Sequence, residues 1–89
     1  MTHHVRSAFH DLENDPKVAE NLRLRALLMM RLSAWMNEQQ LSQREAAATL
    51  GVSQPRVSDL VRGQIDKFSL DALVEMVART GARVELAIK

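Results

Sequence analysis

Between two glycines, Gly51 and Gly63, the chain reads GVSQPRVSDLVRG. Gln54, Arg56, Ser58 and Asp59 lie within it, spaced by Val57, Leu60 and Val61. The chemistry open to such groups is the reading of nucleic-acid base edges. A glutamine amide bonds N6 and N7 of adenine together, and an arginine pairs with guanine or with a phosphate. Ser58 and Asp59 lie further along the same side. A carboxylate such as Asp59 repels phosphate but accepts from cytosine N4. Pro55 sits in the same first turn, where proline is tolerated. Catalysis is not expected: no glycine-rich phosphate loop, metal-ligand spacing or nucleophile–base pair occurs.

These side chains need a short, rigid carrier, and the flanking residues supply one. Ser42 precedes Glu45 by three residues, a capping box that starts a helix over 42–50. Ala46, Ala47, Ala48 and Leu50 favour that helix, and Gly51 can supply the positive φ that ends it. Ser53 then caps a second helix, 53–62, in which Val57, Leu60 and Val61 are expected to face inward. Gly63 ends it. Two capped helices joined by a short glycine turn form a helix-turn-helix layout. Small Ala47 leaves room for the second helix to cross, and Val52 plugs the turn. In this layout the second helix lies in the major groove with its N-terminal residues at the bases. Base contacts are therefore expected from Gln54, Pro55, Arg56, Ser58 and Asp59. Phosphate contacts are expected from Ser42, Gln43 and Ser53 at the two helix starts, with Arg44, Arg62 and Lys67 as charged flankers.

Before this unit, Asp15 and Pro16 mark the start of a long helix, roughly 16–39. Leu24, Ala26, Leu27, Leu28, Met29, Met30, Leu32, Ala34, Trp35 and Met36 cover most of its circumference. A helix apolar nearly all round is buried on more than one side. The second cover is either another chain or a segment of this one. After the unit, QIDKF reads as a loop. Ser69 then caps a fourth helix with the stripe Leu70, Leu73, Val74 and Val77, which Gly81 stops. The ending RVELAIK alternates, so 82–88 is expected to be a strand, with Val84, Leu86 and Ile88 on one face. A lone strand needs a partner. The economical partner is the same strand of a second copy across a two-fold axis; a strand of another protein is the rival. Dimerisation is expected through Val84, Leu86, Ile88, Leu28 and Met29.

With 89 residues, the chain suggests an N-terminal arm, 1–14, and one domain, 15–89. Net charge is +1, so any case for nucleic acid rests on where the charges sit. Segment 42–67 holds four cations (Arg44, Arg56, Arg62, Lys67) against three carboxylates (Glu45, Asp59, Asp66). Cysteine is absent, which excludes disulfides and thiolate metal sites. His3, His4 and His10 have few companion ligands, and neither metal nor cofactor is expected. The longest apolar run, ALLMM, is far shorter than the roughly 20 residues of a membrane span. A cytoplasmic protein is expected, with no membrane partner.

LSQREAAATLGVSQPRVSDLVRG resembles the phage-repressor (Cro/C1, lambda-repressor-like, or XRE) family of helix-turn-helix domains. The wider pattern, from FHDLENDP to the ending ARVELAI, is similar to small XRE-type antitoxins of the HigA-like kind. The resemblance implies an all-α domain with a long first helix and one short C-terminal strand pairing across a homodimer. It implies a repressor that binds double-stranded DNA at its own promoter, with positions matching Gln43, Gln54 and Asp59 among the contacts. It also implies a possible second partner, a RelE/HigB-like toxin that cleaves mRNA, bound through residues 1–30. The chain departs from the phage proteins in one place. An arginine and a glutamate that often pair there are replaced by Met36 and Val61, a change from ion pair to apolar contact that is often neutral.

Overall fold

A computed structural model describes residues 15–89. The expected arm, with His3, His4 and His10, lies outside the described residues. Four α-helices follow one another: α1 (Pro16–Glu38), α2 (Gln43–Leu50), α3 (Gln54–Val61) and α4 (Leu70–Arg79), with a 3-10 turn at Ile65–Lys67 before α4.

Each helix begins at a residue that satisfies a free backbone N–H. The Asp15 carboxylate accepts from the Lys17 amide at 2.9 Å, with Pro16 in the first turn. The Ser42, Ser53 and Ser69 hydroxyls accept from the amides of Glu45, Arg56 and Ala72. At Ser42 the box is complete, because its own amide donates to Glu45 Oε1 at 2.8 Å. That bond, with the one from the Ser42 hydroxyl group, holds the Glu45 carboxyl below its ordinary range. α2 ends at Gly51, whose φ of +69° is left-handed. A Cβ there would lie 3.0 Å from Cζ of Arg79, the far end of an exposed side chain that can move aside, so the positive φ is what selects glycine. α1 ends without glycine: Gln40 takes φ +54°, and the Leu41 amide closes the end on the Met36 carbonyl.

The core draws on every helix. Met29, Leu32 and Met36 come from α1, Ala46, Ala47 and Leu50 from α2, Val57 and Leu60 from α3, and Leu73, Met76 and Val77 from α4. Phe68, from the connection after α3, is 1% exposed and completes it. Ala47, expected to be small where α3 crosses, is buried where α2 and α3 pack closely, and Ala46 is buried beside it.

Three expectations are corrected by helical phase. Val61 is 47% exposed, because Val57 and Leu60 take the inward direction and Val61, at the last turn, points along the side of α1. Val74 is exposed as well, and Met76 occupies the buried position three residues after Leu73. Met29, expected at a dimer face, is 4% exposed in the core of its own chain, while Leu27 and Met30 face outward. Met36 is buried and Val61 is not, so the pair does not share one apolar environment.

Among the described residues there is no strand. Residues 82–89 form no regular element, with Leu86 82% and Ile88 98% exposed. A strand is defined by its ladder, and among the described residues this segment has no second strand to bond. It runs back along α1 all the same. Val84 lines a cleft with Leu28, Leu32, Trp35 and Val77, and Ile88 and Lys89 lie beside Glu20 and Arg23. Leu28 and Val84 are thereby brought together. No helix among the described residues is long and apolar enough to cross a membrane.

Candidate nucleic-acid interface

The expected site residues fall into two helix starts and one charged cluster. Ser42, Gln43 and Arg44 open α2. The Ser42 oxygen is occupied as a cap acceptor for the Glu45 amide. Gln43 is half-buried and Arg44 exposed. Ser53, Gln54 and Pro55 open α3, and all three are exposed. Gln54 is the first residue of the helix and is exposed at its start.

From Arg56 onward α3 behaves differently. Arg56 is turned onto its own protein. Its Nη1 donates to the Lys67 carbonyl at 2.6 Å, and its guanidinium lies 4.2 Å from the centre of the Phe68 ring. A stacked, hydrogen-bonded arginine is held in place by both contacts. Arg56 therefore closes α3 against the connection that follows, a task the sequence did not reveal. Ser58 and Asp59 are half-buried. Oδ1 of Asp59 accepts from Arg62 Nη2 at 2.9 Å and lies 3.6 Å from Lys67 Nζ. The hydrogen bond from Arg62 and the nearby Lys67 charge hold the Asp59 carboxyl below its ordinary range. Asp59, Arg62 and Lys67 are thus one interlocked cluster.

Two further residues belong to the site. Arg25, on α1, donates through Nη1 to the carbonyls of Ile65 and Phe68 at 3.1 and 3.3 Å, and through Nε to Asn21 at 2.7 Å. Phe68 is the floor on which Arg56 rests. Phe68 carried a signal, being a lone aromatic in a short connection between two capped helices. Arg25 carried almost none, since its partners lie 40 and 43 residues away. The result is a stiff edge. α3 is fixed at its start by the Ser53 cap, in its middle by Arg56, and the loop behind it by Arg25.

A family model described as "Helix-turn-helix domain" matches residues 8–89. A solved structure titled "Putative XRE Family Transcriptional Regulator" is 34% identical in sequence, with a TM-score of 0.74 over 80% of each chain. No curated protein matches the chain.

Proposed function

The chain belongs to the helix-turn-helix domain family, of the XRE type, and from that premise we propose that it is a dimeric, sequence-specific DNA-binding regulator of transcription that represses its own operon. The observation that carries the reading is the exposed start of α3, where Gln54 and Pro55 project from a helix rigidly joined to α2 through Gly51. Gln54 is the base reader, suited to adenine. Ser42, Gln43, Arg44 and Ser53 meet phosphates at the two helix starts, where backbone N–H groups and helix dipoles favour anions. Arg62 and Lys67 add charge at the other end of α3. The solved relative's title, a transcriptional regulator, supports the regulatory role.

Dimerisation through antiparallel pairing of strand 82–88 gives the exposed Leu86 and Ile88 a cover and the free backbone groups a ladder. Two copies of α3 then address half-sites about 34 Å apart, or a multiple of that. The test is fluorescence anisotropy on DNA from upstream of the gene, against scrambled DNA, at about 150 mM salt. A preference of roughly 10³-fold or more is expected. Gln54→Ala is expected to cost roughly 1–3 kcal/mol on the upstream site and little on scrambled DNA. Equal losses on both would remove Gln54 from the base-reading role.

A second role is favoured by one observation. Met30, 66% exposed, stands with Val61 along a groove between α1 and α3 that Ala26, Ala34 and Ile65 also line. An apolar patch of this kind suits a protein partner. We propose a RelE/HigB-like toxin as that partner, which makes the chain an antitoxin as well as a repressor. Co-purification with the product of the neighbouring gene is the expected result, and absence of any such complex counts against it.

A further inference from the structure

Asp59 is the single acidic residue of α3, and its position is odd for a surface that meets DNA. Its side chain is 18% exposed, beneath Arg62 at 63% and Lys67 at 52%. One carboxylate thus lies under two outward-facing cations. The Lys67 backbone is held by Arg56, which bonds its carbonyl, and the carbonyls of Ile65 and Phe68 in the same connection are held by Arg25. Exposed ion pairs of this spacing add little to stability, so the arrangement calls for another purpose.

We infer that Asp59 is a specificity-determining residue, an internal counter-ion that cancels one of the two positive charges of Arg62 and Lys67 and so weakens attraction to DNA whose bases the protein does not match. The inference rests on the DNA-binding reading above. Binding to unmatched DNA is essentially phosphate attraction, whereas matched DNA adds contacts to base edges. A carboxylate aimed at the phosphate-facing cations lowers the first and leaves the Gln54 contact untouched. The effect is large for this chain, because segment 42–67 has only one more cation than carboxylate. Asp59 also stays ionised well into acid, held by Arg62 and Lys67, so the counter-ion is present at any physiological pH.

The test measures salt dependence for the full-length chain on random-sequence duplex and on upstream DNA, between about 50 and 200 mM salt. Asp59→Asn adds one unit of positive charge to the cluster. Its affinity for random duplex is expected to fall by about 3.5-fold more per protomer, or about 12-fold more for a dimer, than the wild type's over that fourfold salt range, the signature of one more neutralised phosphate per chain. At the low-salt end it binds random duplex several-fold more tightly, and the ratio of upstream to random affinity falls. Adding Lys67→Ala to Asp59→Asn returns the slope to the wild-type value. Asp59→Ser, which removes the same charge in a smaller side chain, is measured in parallel. An unchanged slope in a variant with native circular dichroism overturns the inference. Loss of native circular dichroism in both variants also overturns it, since Asp59 is then a structural residue. A wild-type protein that binds neither duplex overturns the DNA-binding reading itself.

Discussion

Residues 42–69 and residues 82–89 are equally regular as sequences. The first stretch has capped helices and turn glycines at fixed offsets, and the second alternates cleanly between apolar and polar. Their fates differ. The capping and turn signals in the first are answered within the chain: the Ser42 and Ser53 hydroxyls find amides, Gly51 adopts its left-handed turn, and Leu50, Val57, Leu60 and Phe68 are buried together. In the second, Leu86 and Ile88 stay in water. The difference lies in where the partner is. A helix bonds itself, while a strand depends on a neighbour that the described residues do not supply.

The sharpest way to break the self-sufficient region is to remove its shared support. Phe68→Ala empties a site that is 1% exposed and takes the floor from under Arg56, and a loss of roughly 3–5 kcal/mol in urea unfolding is expected. Gly51→Ala comes next. It places an L residue at φ +69° and crowds Arg79, for a loss of about 1–2 kcal/mol by the same measurement. Acid has a smaller effect. Asp59 and Glu45 have folded-state values held below those of the unfolded chain. Their contribution is complete above the ordinary carboxylate values near pH 4 and is lost as pH falls through the lower folded values. Denaturation midpoints followed from about pH 5 to pH 2 are expected to decline less steeply in an Asp59→Asn, Glu45→Gln variant. The smallest effect on stability falls in the tail. Leu86→Lys is expected to change monomer unfolding by less than about 0.5 kcal/mol, while sedimentation shows loss of the dimer. A large destabilisation of the monomer would erase the contrast between the two regions.

The same contrast explains what was legible in the sequence. The three serine caps and the Gly51 stop are local devices acting over three or four residues, and they locate α2, α3 and α4 to within a residue or two. Phase was harder. Val61 and Val74 are apolar at helical spacing, yet Leu60 and Met76 lie closer to the core direction, and composition does not rank them. Long-range ties were hardest. Nothing near Arg25 points to the carbonyls of Ile65 and Phe68, and Arg56 read as a residue for DNA because its use by Phe68 and Lys67 depends on how the loop returns.

The loop behind α3 has one more consequence. Three of its carbonyls, those of Ile65, Lys67 and Phe68, are held by arginines from two different helices. Ordering a backbone residue costs about 1–2 kcal/mol of entropy. Here that loss falls at folding, before any ligand is met. The edge that carries Lys67 therefore arrives at an encounter already in its final shape. Association along it is the docking of a finished surface, with a rate governed by diffusion and charge and without a wait for disordered chain to settle.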